Sequence, residues 1–193
     1  MKRLSIILVT LFLCASAYTE ETTVSLKLPD GFIAKNCPKP VWKGSSFLWK
    51  GVSDTRGQRE VGTQTRKNGK DPVLVFAEPS LEGALGNIVP ELLKTCGLTL
   101  KKEGKGETEL SFEIHDFYAG VEKRLFTGKG KTHSDFQFVF KKNGDIVKTV
   151  NVGYEVEEKK TRQRDIRQLE GALNELLRRT LEQIPGLDGL KDL

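Results

Sequence analysis

The order of apolar residues predicts an α+β fold, a mainly antiparallel sheet with two amphipathic helices packed on one face. Three observations predict it. Apolar and polar residues alternate strictly in three segments of the second half, through Leu110, Phe112 and Ile114, through Phe136, Phe138 and Phe140, and through Val150, Val152, Tyr154 and Val156. Asn143-Gly144 joins the last two segments, and both residues tolerate the positive φ of a two-residue hairpin turn. Two further stretches repeat apolar residues at helical spacing, one ending at Cys96 and one at Ile184.

Residues 1–17 read as an export signal. Lys2 and Arg3 form a basic end, Leu4 to Leu13 is an uncharged, mostly apolar run, and Ala15-Ser16-Ala17 supplies the small residues that signal peptidase accepts. The run is too short to span a bilayer core, which needs about 20 residues. Cys14 opens a second processing route. A lipoprotein signal ends in a cysteine that receives the lipid, and Leu11 sits at the favoured position three before it, although Leu13 departs from the small residue usual there. The mature chain is expected to begin at Tyr18 or at a lipid-modified Cys14.

Residues 18–45 are expected to form an extended N-terminal segment that wraps the domain. Val24, Leu26 and Leu28 alternate as a short strand, Pro29-Asp30-Gly31 turns the chain, and Cys37-Pro38-Lys39-Pro40 is held extended by its prolines. Residues 46–193 are expected to form a single α+β domain. Its first core strand is Ser46–Ser53, followed by Asp54-Thr55-Arg56. From Gly57 to Asp71 the chain is polar and glycine-containing, which predicts a loop, and Val73–Phe76 is a short strand.

Ser80 is placed to cap the first helix. Its stripe runs through Leu81, Ala84, Leu85, Ile88, Leu92 and Cys96, with Gly97 as the stop and Pro90 as an expected kink. The three alternating strands follow, with a hairpin tip expected over Gly120–Lys131. The last helix is expected over Arg162–Ile184, with a stripe of Ile166, Leu169, Leu173, Leu176, Leu177, Leu181 and Ile184, and Pro185-Gly186 ends it.

Composition narrows the classes of function. The 193 residues are 37% hydrophobic and 30% charged, which suits one globular domain and excludes wholesale disorder. Net charge is +5, and loss of Lys2 and Arg3 with the signal lowers it to +3. That balance, with acids interspersed among the bases, gives no footprint for nucleic acid. Three cysteines are too few for a disulfide-dense scaffold. Export would leave Cys37 and Cys96 in an oxidising compartment, where a disulfide between them would pin the N-terminal segment to the first helix. The other reading of Cys96 is a small buried hydrophobe.

No catalytic signature emerges. There is no G-x-S-x-G, and neither Gly104-Lys105-Gly106 nor Gly128-Lys129-Gly130 fits a phosphate loop. Pairing of the strands that carry His115-Asp116 and His133–Asp135 would bring two histidines and two aspartates together, which keeps a metal-dependent enzyme as the rival class. The expected role is therefore a non-enzymatic binding or assembly-support domain without a cofactor, whose partner is an envelope protein or other envelope component. Asp54 and Arg56 at a strand end, with Arg59, Arg66 and Lys67 in the loop beyond, are the candidate binding residues; a local ion pair closing the strand end is the alternative role for Asp54 and Arg56. The polar sheet face carrying Glu113, His115, Gln137 and Asn151 is expected to stay wet.

The order of these features resembles a known family. Val52-x-Asp54-x-Arg56 precedes a glycine- and charge-rich loop, then come a helix ending at Gly97, an alternating strand with Tyr118, a hairpin ending in Tyr154-Glu155-Val156-Glu157, and a leucine-rich C-terminal helix. This is similar to the YajG-like uncharacterised bacterial envelope lipoproteins, over residues 46–184. The resemblance implies a compact α+β domain at the envelope, in the periplasm or on the outer membrane, usually lipid-anchored. It supplies no catalytic residues.

Overall fold

A computed structural model of the chain describes residues 20–42, 44–64, 72–104, 107–122, 128–161 and 165–190. The export segment and Cys14 lie outside the described residues, as do Arg66 and Lys67. The elements in chain order are β1 (Glu21–Val24), α1 (Phe32–Asn36), β2 (Ser46–Asp54), β3 (Gly62–Gln64), β4 (Val73–Ala77), α2 (Leu81–Thr95), β5 (Thr99–Lys101), β6 (Glu109–Glu122), β7 (Gly128–Lys142), β8 (Asp145–Thr161) and α3 (Ile166–Leu181). Two short 3-10 turns, Ile184–Gly186 and Asp188–Leu190, follow α3.

All eight strands form one sheet built around β6. Along one edge β6 pairs antiparallel with β7, which pairs antiparallel with β8. Along its other edge, β6 pairs in parallel with β2 near its start and with β3 near its end. The sheet is therefore mixed, which corrects the expectation of a mainly antiparallel one. The tight Asn143-Gly144 turn (φ 54° and 92°) permits only antiparallel neighbours for β7 and β8. The route from β2 to β5 passes through β3, β4 and α2, and a crossover of that length is what a parallel pair requires. The same holds for β1, which pairs in parallel with β4.

The core lies between one sheet face and the helices. Leu110, Phe112, Ile114, Phe136, Phe138 and Phe140 are fully buried and form one cluster with Leu85 and Leu92 of α2 and Leu173 and Leu177 of α3. The alternation in β6 changes phase at a bulge between Ile114 and Asp116, after which Phe117 and Ala119 point inward. Strict period-2 reading past Ile114 would have turned the strand inside out.

The two long helices, α2 and α3, are capped as their sequences dictate. Ser80 Oγ accepts from Gly83 N, and Asp165 with Gln168 forms a capping box that starts α3 later than the expected Arg162. Val89 and Leu93 are buried on α2 where Ile88 was expected, and the helix runs through Pro90 as one element.

Three other expectations change. The 18–45 segment contributes β1 and α1 to the domain and buries Phe32, Cys37 and Trp42 in the core, rather than only wrapping it. The loop expected from Gly57 holds β3 and the buried Val61. Gly62 there sits so close to β6 that a Cβ would lie 2.3 Å from the Ala119 carbonyl oxygen, which reserves the position for glycine. The three-residue β5 was not expected at all.

Candidate functional site

The end of β2 and the start of α2 enclose a cleft of about 480 Å³, within the ~300–1,000 Å³ range of ligand pockets. Asp54, Arg56, Gln58 and Arg59 form one wall, and Phe76, Ala77, Ser80, Leu81 and Glu82 the other. Three of the five candidate binding residues, Asp54, Arg56 and Arg59, thus meet at one place.

Arg56 forms the floor of the loop wall. Its side chain is 3% exposed. Nε donates to Asp54 Oδ1 at 2.8 Å and Nη2 to Asp54 Oδ2 at 2.7 Å, while Nη1 donates to the carbonyls of Glu60 at 3.3 Å and Phe117 at 3.1 Å. These bonds fasten the loop to β6, so Arg56 acts as the local ion pair that closes the strand end. Burial pushes the Asp54 carboxyl upward, but hydrogen bonds and charge from Arg56, with a smaller contribution from Arg59, outweigh it and hold the carboxyl below its ordinary value.

Exposed Arg59 and Gln58 face half-buried Phe76 and buried Leu81 across the cleft. The Ser80 oxygen accepts its capping bond from Gly83 N, which does not use the hydroxyl's own proton. The cleft can therefore offer a cation and an amide beside apolar surface on a fixed base, a combination suited to binding. Phe76, Leu81 and Gln58 were not singled out from sequence. The first two are more than twenty residues beyond Asp54, and only the tertiary fold brings them beside it.

The open sheet face is polar, as its alternation predicts. Gln137 Nε2 donates to Asn151 Oδ1 at 2.7 Å, and the His115 ring lies 3.4 Å from Glu113 and 3.3 Å from the Thr55 hydroxyl. A shallow depression on this face contains His133, whose Nε2 lies 2.6 Å from Asp116 Oδ2, beside Lys131, Asp135 and Glu155. Strand pairing brings Asp116, His133 and Asp135 together, while the bulge turns His115 toward Thr55 and Glu113. Among the described residues no group of three or more His, Cys, Asp or Glu is arranged to hold a metal ion.

Cys37 and Cys96 are joined by a disulfide with Cα atoms 5.1 Å apart, which ties the end of α1 to the end of α2. The amides of Val41 and Trp42 both donate to the Cys96 carbonyl, at 2.8 and 3.1 Å, and continue the same fastening. No described helix is long and apolar enough to cross a membrane.

No curated protein matches the chain in sequence. A crystal structure of a Xanthomonas campestris protein superposes with a TM-score of 0.56 at 9% identity, covering 86% of this chain and 93% of that one. This likeness shows a shared fold. An uncharacterized protein (TM-score 0.46, 12% identity, 87% and 97% covered) and a Helicobacter pylori homolog of a neuraminyllactose-binding hemagglutinin (0.42, 10%, 77% and 88%) superpose too loosely to carry an argument. The family model for uncharacterized lipoproteins matches residues 51–185, from the middle of β2 through the end of α3, and the chain belongs to that bacterial lipoprotein family, whose members are exported to the cell envelope.

Proposed function

We propose that the protein is a lipid-anchored, non-enzymatic binding or assembly-support domain of the bacterial envelope, and that a partner protein or other envelope component docks at the Asp54–Arg59 cleft. Lys2, Arg3 and the Leu4–Leu13 run export the chain, and Cys14 receives the lipid. The observation that carries the binding role is the cleft itself, where a loop wall immobilised by Arg56 presents exposed Arg59 and Gln58 opposite Phe76 and Leu81. Arg66 and Lys67, the other two candidate binding residues, lie outside the described residues. A partner segment with a carboxylate or phosphate next to an apolar group fits such a surface.

The test is capture of partners from intact envelopes by wild type, Arg59→Glu and Phe76→Ser. Arg59 is exposed, so its reversal should leave thermal stability unchanged while abolishing capture. Undiminished capture by both variants would remove the cleft from the binding surface. Deleting Gln58–Lys70 is unsuitable, because it removes buried Val61 and the strand that pairs with β4.

A further inference from the structure

The main chain is bound into the sheet from Glu20 onward. The Glu20 carbonyl accepts from Leu74 N at 3.0 Å, and β1 continues the parallel pairing with β4 to Val24. Cys14 stands six Cα steps before Glu20, the first described residue, and six residues reach at most about 20 Å even when fully extended. A lipid on Cys14 is therefore on a short tether.

The register shows which end of the molecule that tether reaches. Glu21 lies opposite Leu74, and Leu74 opposite Thr63. Gly62, beside Thr63, pairs with Ala119, and the next row of the sheet is Gly120, Lys131 and Glu157. The chain thus enters at the end where β6 finishes, β7 begins and β8 finishes. The β7–β8 turn at Asn143-Gly144 is at the other end. Ten residues separate Lys131 from Lys141, the partner of Ile146, a rise of about 33 Å along β7. The turn is also across the sheet from β1, five strand spacings of about 4.8 Å away. Ile146, 61% exposed, and Val147 mark this far corner.

We infer that the end of the sheet where β1 starts, β6 ends and β7 begins faces a phospholipid surface, and that the β7–β8 turn projects away from it. This rests on the anchoring of Cys14 proposed above. Acyl chains on Cys14 partition into the bilayer and hold that residue at headgroup level. The near end then stays within tether reach of the headgroups in every pose, whereas the far corner meets them only if the whole molecule lies flat. The surface thereby kept clear of the bilayer includes the exposed apolar pair at Ile146 and Val147.

The experiment uses full-length protein purified from envelopes. Intact mass first establishes whether Cys14 carries acyl chains. Lys131→Cys, Glu155→Cys and Ile146→Cys variants, all at exposed or half-exposed strand positions, are then labelled with a donor fluorophore. They are bound to vesicles of phosphatidylethanolamine and phosphatidylglycerol containing a headgroup-labelled acceptor lipid. Energy transfer should be several-fold greater from the Lys131 and Glu155 sites than from the Ile146 site. Acylated protein with equal or reversed transfer overturns the orientation and leaves the anchoring intact. An unmodified Cys14 overturns both.

Discussion

Arg56 closes both of its guanidinium edges on fixed acceptors, and Asp54 takes the bidentate edge, with N–O distances of 2.8 and 2.7 Å. The pair spans only two residues, yet it joins three parts of the fold. Asp54 ends β2, Arg56 opens the loop, and the Phe117 carbonyl belongs to β6 just after its bulge. The cleft wall inherits its rigidity from this arrangement.

Removing Arg56 should cost far more than removing a surface ion pair. Arg56→Ala strands a largely buried carboxylate and leaves two backbone carbonyls without their donor. A loss of about 3 kcal/mol is expected, the scale for breaking a buried pair. Arg56→Lys should recover little of it, because an ammonium cannot span both Asp54 oxygens and the two carbonyls. Urea unfolding of the two variants checks the size. A loss near zero for Arg56→Ala would show that the loop holds without its clasp.

The same pair makes stability depend on acid. Asp54 titrates below its ordinary value of 3.8 in the folded protein, so the folded state favours the carboxylate. Its contribution is complete above 3.8 and disappears as pH falls through the folded value. Asp54→Asn should accordingly be less stable than wild type at neutral pH, with the deficit shrinking as pH drops below 3.8. Glu175 is drawn down to about 2 by hydrogen bonds from Arg178 and Arg179, but it is half exposed and solvent screens it. Glu175→Gln should therefore alter the acid limb only slightly. Thermal melts of the three proteins across the acid range measure both effects, and a deficit for Asp54→Asn that persists unchanged into strong acid would contradict the assignment.

Much of this fold was legible in the chain because its signals are local. Alternation around Phe112 and Phe138, the Asn143-Gly144 turn and the leucine stripe of α3 each depend on neighbours a few residues away. What was missed depends on distant partners. Residues Thr99–Lys101 form a strand only because Ser46–Leu48 lies beside them. Val61 looks like an isolated apolar residue in a polar loop until Val75 and Ala119 accept and donate on either side of it. The cleft was half legible. Asp54, Arg56 and Arg59 are close in sequence, while the opposite wall reaches them through tertiary packing.

The disulfide should contribute strongly. Cys37 and Cys96 close a loop with a separation of 59 residues, for which chain entropy allows about 4 kcal/mol. Reduction should lower the melting temperature by more than ten degrees for a domain of this size, taking about 3 °C per kcal/mol. A Cys37→Ala/Cys96→Ala variant should match the reduced protein and be insensitive to reductant. Equal melting of oxidised and reduced protein would mean that the Val41 and Trp42 bonds to the Cys96 carbonyl hold this corner alone.

Asn174 of α3 makes a bond to the N-terminal segment that a strand would otherwise supply. Its Oδ1 accepts from Lys27 N at 2.7 Å, and its Nδ2 donates to the Ser25 carbonyl at 3.2 Å. The side-chain amide thus continues the fastening of the chain just past β1, where the ladder with β4 ends at Val24. Asn174→Ala removes both bonds and should cost about 1–2 kcal/mol, because the site is partly exposed and water can replace part of the loss. Asn174→Asp keeps the acceptor for Lys27 N and loses the donor to Ser25, so it should fall between alanine and wild type. Hydrogen exchange separates this from a general loosening. The Lys27 amide should exchange faster in Asn174→Ala while the Leu74 amide, bonded to Glu20, keeps its protection. Faster exchange at both would mean that Asn174 holds β1 itself in the sheet, and the tether to Cys14 would then begin later than Glu20.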